Sequence, residues 1–216
     1  MRLLVIDTSG PECAAGVYDT ERGDVVSFRS ETIGKGHAEI LPGMIEATMA
    51  ESGLAFADLE RIAVTIGPGS FTGIRVGVAL ARGLGLALQI PVVGVTTLEV
   101  VAEGRLAARD KPVFAAIDAR RDELYGQLFD TDGTAITEAS AYHYDELRAL
   151  AHAKGAAVEG SGAAVLAGAP SPQLDAFPLA TIGRIAARLP KSRKAQPLYI
   201  RGADARPQTG FAVPHA

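Results

Sequence analysis

The sequence predicts an α/β fold made of two related halves. Short apolar runs that suit buried strands alternate with longer segments of helical periodicity along the 216 residues. Each half also begins with a strand that ends in an acidic turn, first at Val5-Ile6-Asp7 and again at Ala116-Ile117-Asp118. We interpret this recurrence as a degenerate internal duplication, with one α/β lobe over residues 1–109 and a second over residues 110–216.

The first half is predicted to open with a three-strand meander, followed by alternating helices and strands. Its strands are expected at 3–6, 14–18, 25–30, 59–66 and 91–95. Its helices are expected at 36–51, where apolar residues share one face, between the last two strands, and at 97–109.

The second half has weaker periodicity. We expect strands at 113–117, 124–129 and 157–159 and helices at 145–154 and 181–189. The stretch 163–179 is rich in Ala, Gly and Pro and is predicted to be a loop, and the tail from Pro190 onward is predicted to be irregular. The last helix could fold back on the first lobe.

One predicted helix carries a stripe of small residues. Gly73, Gly77, Ala81 and Gly85 recur every four residues, and this spacing places them on one helix face. Glycine inside a helix costs roughly 0.5–1 kcal/mol relative to alanine, so the stripe indicates a compensating close contact with another backbone. The residues alone leave open whether that contact is within the chain or with another protein.

The turn before this helix, residues 67–73 with the sequence GPGSFTG, has two interpretations. A glycine-rich turn entering a helix can hold an anion with its backbone N–H groups. Alternatively, Ser70 or Thr72 caps the helix by accepting hydrogen bonds from those groups. The Gly-Lys-Ser/Thr element of a Walker motif is missing, so the pattern does not decide between a phosphate site and a cap.

Asp7 and Asp118 also have two interpretations. An acidic residue at a strand end, beside small hydroxyl side chains, could position a metal–phosphate complex. A turn aspartate that accepts hydrogen bonds from its own backbone gives the same pattern.

Composition excludes several classes of protein. An apolar content of 48% and a charged content of 21% exclude wholesale disorder. A single cysteine, Cys13, excludes an internal disulfide framework and a cysteine-based zinc site. A net charge of −4 without a long basic stripe argues against stand-alone RNA binding. Apolar runs are interrupted before they reach membrane-spanning length, and we expect a cytoplasmic protein that does not contact a membrane.

Several segments spread over nearly the whole chain form a recognisable set: LLVIDTS, HAEILPGMI, TIGPGSFTGIRVGVALARGLG with IPVVGVTTLE, IDARRDELYGQLF and PLYIR. This set resembles the TsaB (YeaZ-like) family. The resemblance implies a two-lobed actin/Hsp70-like (ASKHA) duplication. It also implies a scaffold subunit of the complex that forms N6-threonylcarbamoyladenosine at position 37 of ANN-decoding tRNAs.

The resemblance further implies a paralogue of the catalytic TsaD family that has lost its metal site. In the catalytic relatives, a helix after the corresponding strand carries Asn-His-x-x-x-His, and the histidines hold a metal. The matching positions here are Thr97 and Val101, a weak ligand and a non-ligand. We therefore expect no catalytic and no metal-binding residue, and a vestigial nucleotide cleft. The cleft residues are Asp7, Thr8, Ser9, Gly67, Gly69, Ser70 and Asp118.

In the family, the first helix and the glycine-striped helix form the interface with the catalytic subunit. If this interface is carried over to the present chain, the small-residue stripe is a flat face for a partner. A bulky residue at Gly77 is then expected to abolish partner binding without unfolding the chain. The implied interface residues are His37, Ile40, Leu41, Met44, Ile45, Gly73, Arg75, Gly77, Val78, Ala79, Ala81 and Arg82.

The implied partners are a TsaD-type catalytic subunit, a TsaE-type ATPase and, when the chain is alone, a second copy of itself. tRNA is expected only through the complex, and ATP or ADP and a metal only through the partners. The main alternative is a stand-alone small-molecule kinase of the same fold. A peptidase is a further alternative, but the sequence shows neither a nucleophile motif nor a carboxylate pair that supports it.

Overall fold

The computed structural model describes residues 1–106, 108, 110–169 and 175–200. The first lobe is built on a five-stranded sheet in the order β3-β2-β1-β4-β5. The first three strands pair antiparallel, whereas β4 and β5 continue the sheet in parallel with β1. The strands are β1 (Arg2–Asp7), β2 (Glu12–Asp19), β3 (Asp24–Thr32), β4 (Arg61–Thr65) and β5 (Val92–Val95).

Alternating side chains of the sheet supply two separate cores. On β1, Leu4 and Ile6 point to the face covered by α1 and α2, whereas Leu3 and Val5 point to the opposite face. Burial on both faces explains why β1 and β4 are almost continuously apolar rather than alternating. The helices of this region are α1 (His37–Ser52), α2 (Phe71–Leu88) and α3 (Thr97–Leu106), with a 3₁₀ turn at Phe56–Asp58.

The second lobe repeats the connectivity of the first. Its four-stranded sheet has the order β8-β7-β6-β9, with an antiparallel meander and a parallel fourth strand next to the first. Helix α4 precedes β9 as α1 precedes β4, and α5 follows β9 as α2 follows β4. The predicted duplication is therefore confirmed. The elements are β6 (Val113–Arg120), β7 (Glu123–Phe129), β8 (Ser140–His143), α4 (Tyr144–Ala153), β9 (Ala157–Glu159) and α5 (Ser161–Leu166).

Two elements of the second lobe differ from the prediction. Strand β8 was missed because its four residues are only partly buried and show no clear alternation. Helix α5 was wrongly assigned to the predicted loop at 163–179, because its six small residues are too few to show a helical period. Residues 170–174 of that loop, residue 109 at the predicted lobe boundary and the tail after Ile200 lie outside the described residues.

The chain returns to the first lobe after the second one. Helix α6 (Leu179–Arg188) packs on the face of the first sheet opposite α1 and α2, where Gly183 lies directly against the ring of Tyr18. The buried guanidinium of Arg61, on β4, donates hydrogen bonds to the carbonyl oxygens of Ala186 and Leu189 at the end of α6. These contacts fix where the C-terminal segment leaves the helix.

Helix α2 is long and apolar enough to cross a membrane, when only length and composition are considered. A packed helix of a globular domain passes the same test. Here one face of α2 packs on the chain's own sheet, and the opposite face carries Arg75 and Arg82.

Candidate functional site

The turn at residues 67–70 closes over the end of β1. The Ser70 N–H donates a 2.7 Å hydrogen bond to the carbonyl oxygen of Ser9, in the β1–β2 turn. A Cβ on Gly69 would overlap that same carbonyl group, so only glycine allows the two turns to approach this closely. The close approach makes the predicted cleft loop part of one packed unit with the end of β1.

Ser70 is the N-cap of α2. Its hydroxyl oxygen accepts a 3.2 Å hydrogen bond from the Gly73 N–H. This satisfies one of the helix's unpaired backbone donors. The capping interpretation of Ser70 is therefore confirmed, whereas Thr72 is exposed at the start of the helix.

Asp7 lies at the centre of a buried polar network. Its Oδ1 accepts hydrogen bonds from the Ser9 hydroxyl at 2.5 Å, the Thr65 hydroxyl at 2.6 Å and the Ser9 N–H at 3.0 Å. Burial raises the pKa of the Asp7 carboxyl above its ordinary value, and the three hydrogen bonds only partly oppose that shift. Asp7 thus forms a turn contact with its own backbone, as its second interpretation expects.

Asp118 occupies the corresponding place in the second lobe. Its Oδ1 accepts a 2.8 Å hydrogen bond from the Arg120 N–H, and its own N–H donates a 2.8 Å hydrogen bond to the Ser161 hydroxyl. The Ser161 hydroxyl and N–H in turn donate to the carboxylate of Asp175. The structure therefore groups six of the seven predicted cleft residues in the first lobe and places Asp118 in a separate network of the second lobe.

The small-residue stripe of α2 packs on the chain's own first sheet. A Cβ on Gly73 would overlap the carbonyl of Thr8, one on Gly77 would overlap the Thr8 hydroxyl, and one on Gly85 would overlap the side chain of Val92. The Thr8 hydroxyl also donates a 2.8 Å hydrogen bond to the carbonyl oxygen of Gly73. The expectation that this stripe is a flat face held for a partner is wrong, because the sheet already covers it.

The predicted interface residues consequently divide into two groups. Those buried in the first lobe cannot meet a partner in this fold, and for them the prediction is wrong. They are His37, Leu41, Met44, Gly73, Gly77, Val78 and Ala81, whereas Ile45 is buried but lines the groove between α1 and α2 and stays a prediction. Arg75, Ala79 and Arg82 are exposed and Ile40 is half-buried, so these four stay predictions.

The exposed face of the α1–α2 pair holds further residues that sequence reasoning missed. Helix α1 presents Glu39 and Glu46, and α2 presents Phe71 and Leu86 beside its two arginines. An apolar groove of about 340 Å³ lies between the helices and is lined by residues such as Pro42, Leu80, Leu84 and Leu88. The three- and four-residue spacing of the exposed positions could have revealed this face, had the buried stripe been assigned to the core.

The positions matched to the metal-binding histidines are engaged in internal contacts. The Thr97 hydroxyl donates a 2.6 Å hydrogen bond to the carbonyl oxygen of Pro68, which ties α3 to the turn before α2. Thr96 and Glu99 exchange capping hydrogen bonds at the start of α3, and Glu99 also forms a bidentate ion pair with Arg193. Among the described residues, no three His, Cys, Asp or Glu side chains are grouped to hold a metal ion.

Comparisons with known proteins agree on one family. Residues 29–187 match the family model described as TsaD, tRNA N6-adenosine threonylcarbamoyltransferase. The chain is 32% identical over 151 residues to the tRNA threonylcarbamoyladenosine biosynthesis protein TsaB of Escherichia coli, a match that covers 69% of this chain and 62% of that protein. It is also 32% identical to an uncharacterized protein of Mycobacterium bovis, over 95% of this chain and 94% of the relative.

Two solved structures from Pseudomonas aeruginosa share the fold. One is described as an uncharacterized protein with similarity to peptidase YEAZ; it has a TM-score of 0.73 and 26% identity, over 93% of this chain and 99% of that one. The other, described as YeaZ, has a TM-score of 0.68 at 26% identity and covers 92% of this chain and 99% of its own length. Together with the family model, they confirm the predicted actin/Hsp70-like fold.

Proposed function

Because this chain belongs to the TsaB/YeaZ family, we propose that it is a non-catalytic scaffold subunit in the formation of N6-threonylcarbamoyladenosine in tRNA. In this proposal it binds and supports a TsaD-type catalytic subunit, and the modified nucleoside lies at position 37 of ANN-decoding tRNAs. The observation that carries the proposal is the exposed α1–α2 face, which combines an apolar groove with charged side chains that form no ion pair within the described part of the chain.

The internal contacts at the cleft support the non-catalytic part of the proposal. The hydroxyls of Thr8 and Thr97 donate to backbone carbonyls of the turn and of the first residues of α2. Asp7 accepts three hydrogen bonds from residues of its own lobe. Side chains committed to such contacts serve to hold the turn, and reassigning them to a substrate would cost the lobe buried hydrogen bonds of about 1 kcal/mol each.

Charge complementarity supports the α1–α2 face as a docking surface. Glu39 and Glu46 are seven residues apart on α1, and Arg75 and Arg82 are seven residues apart on α2. Seven residues correspond to about 10.5 Å along a helix, so the two pairs match in spacing. Among the described residues, none of these four side chains forms an ion pair within the chain.

The same spacing supports a homodimer when the catalytic subunit is absent. A two-fold axis would bring α1 of each copy against α2 of the other. Glu39 and Glu46 of one copy would then face Arg75 and Arg82 of the other, and symmetry would repeat this set of contacts. We propose that the TsaD-type subunit competes for this face. A TsaE-type ATPase, tRNA, ATP or ADP and a metal are proposed to enter only through the assembled complex, which we place in the cytoplasm.

The proposal is tested by reconstituting tRNA threonylcarbamoylation with TsaC-, TsaD- and TsaE-type partners, with this chain present or omitted. We expect modification to be lost on omission and this chain to be inactive without the TsaD-type subunit. Equal modification in both mixtures would contradict the proposal, and ATP turnover by the isolated chain would favour the kinase alternative.

A double charge reversal tests the docking face in the same assay. The variant Arg75→Glu with Arg82→Glu should lower the affinity for the TsaD-type subunit about tenfold or more, because two charge pairs become repulsive. Arg22→Glu is the matched control, since Arg22 is exposed on the β2–β3 hairpin. Unchanged binding by the double variant would exclude this face.

A further inference from the structure

Three side chains form an exposed cluster at the start of α2. The guanidinium carbon of Arg75 lies 3.6 Å from the ring centroid of Phe71 and 5.4 Å from that of Tyr199. The Arg75 Nε–H also donates a 2.8 Å hydrogen bond to the Tyr199 hydroxyl. Phe71 is 47% exposed and Tyr199 is 51% exposed, so two large aromatic rings hold a cation at the surface.

Tyr199 comes from the far end of the chain and has a fixed position there. The neighbouring Leu198 N–H donates a 2.8 Å hydrogen bond to the carbonyl oxygen of Ile66, just before the turn that leads into α2. Earlier in the same segment, Ala195 is buried among the residues that pack under α1 and α2. The C-terminal segment is therefore anchored to the first lobe at two points that precede Tyr199.

The cluster restricts Arg75 without neutralising it. A free arginine loses conformational entropy when a partner orders it, whereas the ring contacts and the Nε hydrogen bond have already restricted this side chain. No ion pair between Arg75 and a carboxylate forms within the part of the chain that the structure describes. Its two terminal nitrogens can then bind one carboxylate in a bidentate manner.

We propose that Tyr199 is a positioning residue of the docking face, which orients Arg75 to bind Glu39 or Glu46 of a second copy of this chain. The inference rests on the proposed function, because it requires the α1–α2 face to be the docking surface. It adds the C-terminal segment to a surface otherwise made of two helices. Tyrosine and arginine are also the residue types that dominate the energetics of protein interfaces.

The carboxylate partner follows from the composition of the face. Between its two arginines, α2 exposes Ala79, whose small side chain leaves room for a helix to lie along it. The residues of α2 include no acidic side chain, whereas α1 exposes Glu39, Glu46 and Glu51, of which Glu51 already forms an ion pair with Arg29. A second copy therefore supplies an acidic helix of matching spacing.

The test is the dimer dissociation constant from sedimentation equilibrium for the full chain and for Arg75→Ala, Tyr199→Ala, Tyr199→Phe and the double variant Arg75→Ala with Tyr199→Ala. We expect Arg75→Ala to weaken dimerisation about tenfold and Tyr199→Ala about fivefold. The double variant should match Arg75→Ala alone, because Tyr199 acts through Arg75. Tyr199→Phe should weaken dimerisation less than Tyr199→Ala does, because it keeps the ring and removes only the hydroxyl that accepts the Arg75 hydrogen bond.

The outcomes separate the inference from the proposed function. A normal dissociation constant for Arg75→Ala, or a wild-type chain that stays monomeric, would contradict the docking face and the inference with it. A weakened Arg75→Ala together with an unchanged Tyr199→Ala, or with additive effects in the double variant, would overturn only the role of Tyr199. Ile136→Ala, at a side chain 47% exposed in the second lobe, is the control and should dimerise normally.

The Nε–H resonance of Arg75 gives a readout that does not depend on association. In wild type and in Phe71→Ala it should be protected from exchange with solvent, and in Tyr199→Phe and Tyr199→Ala that protection should fall at least severalfold. Equal protection in the Tyr199 variants would contradict the positioning role.

Discussion

The two faces of α2 have opposite tasks although they belong to one 18-residue helix. One face is a stripe of glycine and alanine, and it lies so close to β1 and β5 that added methyl groups would overlap Thr8 and Val92. The other face carries Phe71, Arg75 and Leu86 in solvent. The striped face holds the lobe together, whereas the exposed face is the one that we propose to meet a partner.

This difference teaches that a small-residue stripe predicts close packing but not what is packed. Propensity requires compensation for interior glycines, and any backbone that approaches closely provides it. In this chain the compensation comes from packing on the first sheet. The carbonyl oxygen of Gly73 accepts a hydrogen bond from the Thr8 hydroxyl, and Gly77 packs against the side chain of the same threonine. A docking face instead needs side chains that are exposed in the isolated chain.

The largest expected effect on stability comes from a substitution on the striped face of α2. Gly77→Leu should destabilise the chain by about 3 kcal/mol or more, because its side chain would collide with Thr8 and Val64 in a close-packed core. Urea unfolding followed by circular dichroism measures this. Gly83→Leu, on the same helix at an exposed position with open space around it, is the matched control and should stay folded. A Gly77→Leu variant of wild-type stability would restore the stripe as a candidate partner surface.

A smaller effect on stability is expected at Asp7, the residue before Thr8 at the end of β1. Because burial raises the folded-state pKa of this carboxyl, it contributes stability that is fully present below the ordinary aspartate pKa and is lost as pH rises through the folded pKa. Asp7→Asn stays neutral and keeps an oxygen that can accept the hydrogen bonds of Ser9 and Thr65.

The measurement is the free energy of unfolding between pH 4 and pH 8 for both proteins. The decrease with rising pH should be smaller in Asp7→Asn than in wild type. An identical pH dependence in the two proteins would show that the Asp7 pKa is the same in the folded and unfolded chains.

The smallest effect on stability is expected on the exposed face. Leu86 is 82% exposed in the single chain, so Leu86→Ser should change the free energy of unfolding of the monomer by no more than about 0.5 kcal/mol. Urea unfolding of samples dilute enough to be monomeric measures this. A loss of about 2 kcal/mol in such samples would mean that Leu86 packs within its own chain and is not available for docking.

Much of the fold could be predicted from the sequence. The apolar runs of β1, β4 and β6 and the acidic turns at Asp7 and Asp118 predicted two related α/β halves, because buried parallel strands leave a strong local signal. The short elements β8 and α5 could not be predicted, because four or six partly buried residues define no period. The Ser70 cap was one of two interpretations of the turn; the structure shows the cap, and anion binding there stays a prediction.

The sequence by itself determined that α2 needs a close neighbour, that the halves repeat, and which family the residues belong to. These are local properties, set by the cost of glycine in a helix and by side-chain periodicity. Only the tertiary structure showed that the stripe packs on the chain's own first sheet. It also showed that Tyr199 contacts Arg75, although the two residues are 124 positions apart in the sequence. Contacts between residues so far apart depend on how the sheet, α6 and the C-terminal segment pack together, which no local pattern encodes.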